Sequence, residues 1–170
     1  MPDTKSQVTA ATEGPDSPAD LLVRYAEGGA VLRDAIAGLD ADALRARPVA
    51  GKMSSLEVVA HIVDADQFMC DRMKRTIATE RPLLMGVDGI AYLEKLHYHE
   101  RDPQLDVRLL ELQREQLAAD MSRIPEAAWQ RDSVHSEVGL LTLRQLLNHA
   151  VRHLESHVEA IAEKRSAMGM

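Results

Sequence analysis

Residues 143–164, "LRQLLNHAVRHLESHVEAIAEK", carry the clearest helical pattern in this chain of 170 residues. Residues on an α-helix advance by roughly 100° each. One face of the segment therefore collects apolar side chains, namely Leu143, Leu146, Leu147, Ala150, Leu154, Val158 and Ile161. The opposite face carries Asn148, Arg152, Glu155 and Glu159. The pattern predicts a long amphipathic helix that Thr142 can cap and that packs one face into a hydrophobic core.

Three earlier segments repeat apolar residues at the same helical spacing. They span residues 19–39, 55–80 and 104–124. Ser54 or Ser55 can cap the second of these helices. No segment alternates apolar and polar residues as a half-buried strand does, and aromatic residues make up only 3% of the chain. We therefore expect an all-α protein, a four-helix bundle.

The link between the second and third helices, residues 81–103, is unusually long for a bundle. Antiparallel neighbours in a bundle are normally joined by two to eight residues. A link of this length can carry the chain back along the whole bundle. Helices two and three would then run parallel, which gives an up-down-down-up topology.

The composition excludes several classes of protein. Acidic residues outnumber basic residues by 27 to 20, and we find no basic stripe of the kind that nucleic-acid binding requires. The single cysteine excludes an internal disulfide, and no apolar run reaches membrane-spanning length. We expect a cytoplasmic protein with a disordered leader over residues 1–17 and one domain over residues 18–170.

Histidines lie along one edge of the apolar face in the last helix. His149, His153 and His157 follow one another at intervals of four residues. Because four residues overshoot a full turn by roughly 40°, the column rotates toward the core, and the pair His153 and His157 points inward most. In the second helix, His61 occupies the same kind of edge, followed by Phe68 and Arg72.

Imidazole is a common ligand for divalent metal ions in proteins. Two histidines four residues apart on one helix can reach the same ion, and a third from another helix leaves a coordination position open. Such an ion lowers the pKa of a bound water or thiol and so creates a nucleophile at neutral pH. Alternatively, histidines at these positions only donate hydrogen bonds to carbonyl or carboxylate groups.

The two histidine-bearing segments resemble one known family. "SSLEVVAHIVDADQFMCDRMK", together with "LTLRQLLNHAVRHLESHVEAI", is similar to the DinB-like superfamily, which includes the YfiT-type metal-dependent hydrolases. The resemblance spans roughly residues 20–165 and implies metal ligands at His61, His153 and His157, with His149 unmatched. It also implies parallel second and third helices, zinc or nickel as the ion, and a homodimer. Thiol S-transferases belong to the same family.

Other side chains are weaker candidates for a role in the site. Asp64 matches an aspartate of the family motif and could orient His61 or act as a general base; a solvated carboxylate is the alternative. Asp88 and Tyr92 lie in the long link and are candidate substrate contacts. His135 is expected to be a solvated loop residue, and Cys70 a small core residue.

We therefore expect a metal-dependent enzyme that uses water or a low-molecular-weight thiol to hydrolyse, or transfer a thiol to, a small-molecule substrate. A second possibility is a metal-binding module without turnover, serving in a stress response or in ligand binding. A third is a helical protein that binds no metal and functions through dimer contacts.

Overall fold

A computed structural model describes residues 15–170 of the protein. Its six α-helices are α1 (Pro18–Ile36), α2 (Ala41–Arg45), α3 (Ser55–Ala78), α4 (Gly89–Lys95), α5 (Pro103–Met121) and α6 (Leu143–Ala167). Two 3-10 helices cover Tyr98–Glu100 and Glu126–Gln130, and three short strands are β1 (Leu83–Leu84), β2 (Asp132–His135) and β3 (Gly139–Thr142). Within residues 15–170, no helix combines the length and apolar character needed to cross a bilayer.

Side-chain caps begin all four long helices, and three of these caps are reciprocal. Ser17, Ser54 and Thr142 each accept a hydrogen bond from the backbone N–H three residues later, and the side chain at that later position accepts one in return. Reciprocal caps of this kind satisfy two otherwise unpaired donors at a helix start. The cap predicted at Thr142 is confirmed, and Ser54 rather than Ser55 caps α3.

Helices α3 and α5 run parallel. The side-chain amide of Gln113 donates to Asp66 at 2.9 Å, and Nζ of Lys74 donates to Oε1 of Gln116 at 3.5 Å. Residue numbers of the contact partners therefore rise in the same direction on both helices. The chain between these helices contains β1, α4 and the 3-10 helix at Tyr98–Glu100. The crossover expected over residues 81–103 is therefore present.

Helices α1 and α6 also run parallel, in the opposite direction to α3. Arg24 pairs with Glu155, and Arg165 donates to the carbonyl of Ala37, so contacts again advance together. Helix α3 packs against both α5 and α6, and α1 does the same from the other side of the bundle. The result is the predicted up-down-down-up four-helix bundle.

Two glycines allow α1 and α5 to approach closely. A Cβ on Gly29 would lie 2.9 Å from the backbone Cα of Glu111, closer than real Cβ contacts allow. A Cβ on Gly28 would lie 2.1 Å from Nη1 of Arg114. Gly29 thus makes room for a neighbouring backbone, and Gly28 makes room for a buried guanidinium.

A buried ion pair crosses the middle of the bundle between two apolar clusters. Arg114 is 1% exposed and donates to Asp66 at 2.6 Å and to the carbonyls of Tyr25 and Ala150 at 3.2 Å. The apolar cluster on one side includes Leu21, Met73, Leu117 and Leu146, and the cluster on the other includes Leu32, Leu56, Leu110 and Ile161. Because a buried charge needs a partner and hydrogen bonds, Arg114 can stay in this layer only while Asp66 and the two carbonyls remain beside it.

A small sheet joins the crossover to the chain before α6, and the sequence did not predict it. Strand β1 pairs with β2 in parallel, and β2 pairs with β3 in an antiparallel hairpin. The buried positions of β2 are Ser133 and His135, so the expected apolar alternation is absent. The interpretation of His135 as a solvated loop residue is wrong, because the residue belongs to β2 and is only 6% exposed.

Two other expectations concern the leader and the cysteine. Residues 1–14 of the predicted leader lie outside the described residues. Asp16 pairs with Arg24 at 2.6 Å, so residues 16 and 17 already contact the bundle. Cys70 is buried in the core, as predicted.

Candidate metal centre

Helices α3 and α6 bring three histidines together inside the bundle. The ring centroids of His61 and His157 lie 4.7 Å apart, and those of His153 and His157 lie 4.5 Å apart. The rings of His61 and His153 are separated by 5.1 Å. All three imidazoles therefore converge on one point, and we call them the His triad.

The spacing of the donor nitrogens suits a single metal ion. One nitrogen from each ring of the His triad lies within 4.8 Å of the others. The Nε2 atoms of His61 and His153 are 3.2 Å apart. Two nitrogens bound at about 2.0 Å to a tetrahedral ion lie roughly 3.3 Å apart, so this pair is already at bonding separation for a shared ion.

Burial keeps the triad in the form that binds metals. It lowers the pKa of His61 and His157, the latter to about 4, and lowers that of His153 well below its ordinary value. Neighbouring imidazoles add to this effect at His153 and His157. At neutral pH the three rings are uncharged and each offers a lone pair, which is the protonation state of a metal ligand.

His149 lies next to the triad but outside it. Its ring centroid is 6.0 Å from that of His153, and its Nδ1 atom is buried without a hydrogen-bond partner among residues 15–170. Within that range, only His61, His153 and His157 form a group of three or more donors close enough to hold an ion. The ranking of the inner pair of α6 above His149 agrees with this geometry.

Asp64 is buried and links α3 to the crossover. Its two carboxylate oxygens accept hydrogen bonds from the hydroxyl of Tyr98 at 2.8 Å and from Arg101 at 2.7 Å. Arg101 also pairs with Asp106 on α5. No hydrogen bond joins Asp64 to His61 within the described chain, although its charge opposes the effect of burial on the His61 pKa.

Helix α4 forms a wall beside the triad. A Cβ on Gly89 would lie 3.4 Å from Cε1 of His61, so the first turn of α4 touches that ring. Asp88 caps this helix by accepting hydrogen bonds from the backbone N–H groups of residues 90 and 91. Tyr92 packs edge-on against Phe68 of α3, with ring centroids 5.3 Å apart. Both candidate substrate contacts thus belong to the element that covers His61.

The sequence of residues 24–161 matches the model of the DinB superfamily. This chain belongs to the DinB superfamily. The match includes all three ligand candidates and extends over most of α1 and α6. A comparison with curated proteins finds no match.

The superfamily fold is also found in a solved structure. YfiT from Bacillus subtilis is 22% identical to this chain, covers 92% of each chain and superposes with a TM-score of 0.85. That protein is described as "a probable metal-dependent hydrolase with an unusual four-helix bundle topology". At this level of identity the likeness establishes the shared fold.

Sequence reasoning missed two groups near the triad of this DinB-superfamily chain. It did not connect Tyr98 and Arg101 with Asp64, because these contacts depend on the path of the crossover. It also did not connect Arg72 with His135, although Arg72 lies on the same edge of α3 as His61. That shared edge was a signal that the basic side chain faces the same side of the bundle.

Proposed function

We propose that this chain is a metal-dependent enzyme that uses water, or a low-molecular-weight thiol, to attack a small molecule. The observation that carries the proposal is the His triad: three neutral imidazoles from two helices with donor atoms within 4.8 Å. Hydrolysis is the simpler reaction of the two and is the activity suggested for YfiT. Thiol transfer would need additional space for the thiol compound beside the triad.

His61, His153 and His157 would hold a divalent ion; neutral nitrogen ligands accept several such ions, and the family resemblance selects zinc or nickel among them. Three protein ligands leave a coordination position for water, a thiol or the substrate. A divalent ion in such a site lowers the pKa of the group bound there and polarises the group to be attacked. The protein supplies the geometry and limits access of bulk water.

The surrounding residues would orient the triad and the substrate. Asp64 acts on His61 through its charge, because Tyr98 and Arg101 already occupy its oxygens. Tyr92 is the better placed of the two proposed substrate contacts, because the Asp88 carboxylate is engaged in capping α4. Helix α4 would therefore control what reaches the triad.

A metal-binding module without turnover is the alternative function. It would require a fourth protein ligand that closes the coordination sphere, as in structural zinc sites. Among residues 15–170 the donor cluster contains three residues, which favours the enzyme. An exchangeable fourth position in the metal-loaded protein would agree with catalysis.

Elemental analysis of untagged full-length protein tests the proposal. We expect about one ion per chain in the wild type and a loss of at least tenfold in His61→Ala and in His157→Ala. His99→Ala is the matched control, because His99 is exposed on the crossover. The loaded protein should then hydrolyse simple esters or amides, or add a thiol to an electrophile. Unchanged metal content in both triad variants would refute the proposed site.

We also propose that the chain forms a homodimer through α5, and that it works in the cytoplasm. Leu105, Leu109 and Leu112 lie on the outer face of α5 and are 63%, 42% and 62% exposed. Three leucines at this spacing form an apolar stripe on the helix surface. Exposure of such a stripe to water is energetically unfavourable. A partner that covers the stripe would remove it from solvent.

Charge on the same face of α5 fits a second copy of this chain. Arg108 lies four residues before Leu112, and Glu115 lies three residues after it. If two α5 helices cross antiparallel at a point between Glu111 and Leu112, each Arg108 faces the Glu115 of the partner subunit. An isologous interface requires this kind of self-complementarity.

A further inference from the structure

Arg72 is a partly buried arginine that forms no ion pair within residues 15–170. Its Nη2 donates to the carbonyl of Met85 at 2.5 Å. Within residues 15–170, no carboxylate lies within the 4.0 Å ion-pair distance of its guanidinium, whereas Arg24, Arg101 and Arg114 all have such a partner. Because a guanidinium has five N–H donors, most of the hydrogen-bonding capacity of Arg72 remains available.

The β1–β2 pairing places His135 beside Arg72. Met85, whose carbonyl holds Arg72, directly follows Leu84, and Leu84 pairs with His135 in the sheet. His149 completes the group from α6. Its Nδ1 is buried and unpartnered within the described chain, and its ring is 6.0 Å from that of His153. The charges of Arg72 and His135 both act on the ring of His149, so these three basic side chains share one region beside the triad.

Two acidic side chains, Asp71 and Glu137, lie near Arg72. Asp71 precedes it on α3 and pairs instead with Arg75 at 2.7 Å. Glu137 follows β2, is exposed, and its carboxylate packs against Gly86. Both carboxylates act on the charge of Arg72, but Asp71 is held by Arg75, so Glu137 is the one that would compete with an anion for Arg72.

We propose that Arg72 and His149 bind an anionic oxygen group of the substrate, a carboxylate or a phosphate, one helical turn beyond the His triad. This inference rests on the proposed enzymatic function and names its substrate class: a small molecule with a negative group at one end and the reacting bond at the other. A guanidinium binds both kinds of oxyanion through two parallel hydrogen bonds. One helical turn corresponds to roughly 5 Å along α6, the length of a short carbon chain.

Electrostatics at these side chains agrees with the proposal. Burial lowers the pKa of Arg72, and the charges of Glu137 and Asp71 oppose this effect without coming within ion-pair distance. Burial, followed by the Arg72 charge, lowers the pKa of His149 to about 4. The Nδ1 atom of His149 is buried without a hydrogen-bond partner within the described chain, so it can donate to an oxyanion bound there.

Titration calorimetry with inorganic phosphate and with acetate tests the inference, using full-length protein before and after removal of its metal by a chelator. Binding to the chelated protein should weaken at least tenfold in Arg72→Gln. Arg75→Gln is the matched control, because Arg75 is exposed one turn away on α3 and pairs with Asp71. Glu137→Gln should tighten binding twofold or more by removing the competing charge.

The result also distinguishes the two oxyanions and the two proposals. Stronger binding of phosphate or of acetate identifies which group the site prefers. Phosphate that binds only to the metal-loaded protein, equally well in wild type and Arg72→Gln, would overturn the inference while leaving the proposed function intact. Absence of metal from the wild type would instead remove the proposed function. The calorimetric comparison of wild type with Arg72→Gln would still show whether Arg72 binds the oxyanion.

A folding defect in Arg72→Gln would not prevent the test. Arg72→Lys keeps the charge and a donor for the Met85 carbonyl but cannot bind an oxyanion through two parallel hydrogen bonds. We expect it to bind phosphate several-fold more weakly than the wild type. If neither Arg72→Lys nor Glu137→Gln changes the affinity, the inference is wrong.

Discussion

The Nε2 atoms of His61 and His153 lie 3.2 Å apart although 92 residues separate them in the chain. A nitrogen pair at this distance shares either a proton or a metal ion, because two lone pairs facing each other would repel. Without an ion, one ring must donate its N–H to the other. A bound ion would accept both lone pairs, and His157 would supply the third ligand. The contact therefore joins α3 to α6 in either state, and an ion would strengthen it.

Metal binding should stabilise the fold. An ion that binds only the folded chain contributes about 2.7 kcal/mol when its free concentration is 100 times Kd. For a chain of this length that corresponds to a rise in Tm of roughly 5–10 °C. Thermal unfolding of chelated protein, with and without added Zn²⁺ or Ni²⁺, measures the effect. His153→Ala should unfold at the same temperature in both conditions; an equal rise in that variant would contradict the site.

Acid should destabilise the metal-free protein through its buried histidines. The pKa of His157 and of His149 is about 4 in the folded protein, below the ordinary value of 6.5. Between these values the unfolded chain binds more protons, so the free energy of unfolding falls as pH decreases from about 6.5 to about 4. Carboxylates titrate in part of the same window, so the comparison is between wild type and His157→Gln.

Denaturant unfolding at several pH values provides the measurement. The free energy of unfolding should depend less steeply on pH in His157→Gln than in the wild type. The difference in slope within this window should be up to about 1.4 kcal/mol per pH unit. The exposed His99 again supplies the control, since His99→Gln should reproduce the wild-type slope. Identical slopes for His157→Gln and wild type would show that His157 is not held neutral by burial.

Breaking the central ion pair should cost more than removing any surface charge. Arg114→Met leaves Asp66 buried without its cation, and we expect the free energy of unfolding to fall by about 3–5 kcal/mol. Arg75→Met removes an exposed partner of Asp71 and should leave stability nearly unchanged. Urea unfolding of both variants checks the contrast, and a similar small effect in both would exclude a structural role for the pair.

The proposed dimer should depend on the outer face of α5. Leu112→Glu introduces a charge at the centre of the face, and analytical ultracentrifugation should show a monomer. Val23→Glu is the control, because Val23 is a comparably exposed apolar residue on α1, at 57%. The double variant Arg108→Glu with Glu115→Arg should restore the dimer that either single change weakens. A monomeric wild type would contradict the proposal at once.

The helices were predictable because each carries a long apolar stripe and a cap or stop. Helix α6 shows this best, with Thr142 at its start and seven apolar residues at helical spacing. The convergence of the three candidate ligands was predictable for a related reason. His61 and the pair His153 and His157 adjoin the stripes that face each other, so packing the stripes brings the imidazoles together. The family resemblance singled out the same three residues.

The remainder depended on contacts that local patterns do not record. Strand β2 is four residues long and buries Ser133 and His135, which inverts the usual pattern of a half-buried strand. Asp64 is buried because Tyr98 and Arg101 approach it from the crossover, thirty-odd residues further along the chain. Neither the short sheet nor that approach leaves a periodic trace in the sequence.

The crossover contributes none of the three imidazoles, yet through Gly89 it touches one of them and through α4 it covers the site. The residues that would bind the ion and the residues that would control substrate access therefore lie in separate segments of the chain. Exchange of residues 83–95 between relatives would change which compounds reach the site and would leave the metal ligands unchanged. A scaffold divided in this way can acquire new chemistry by editing a single short segment.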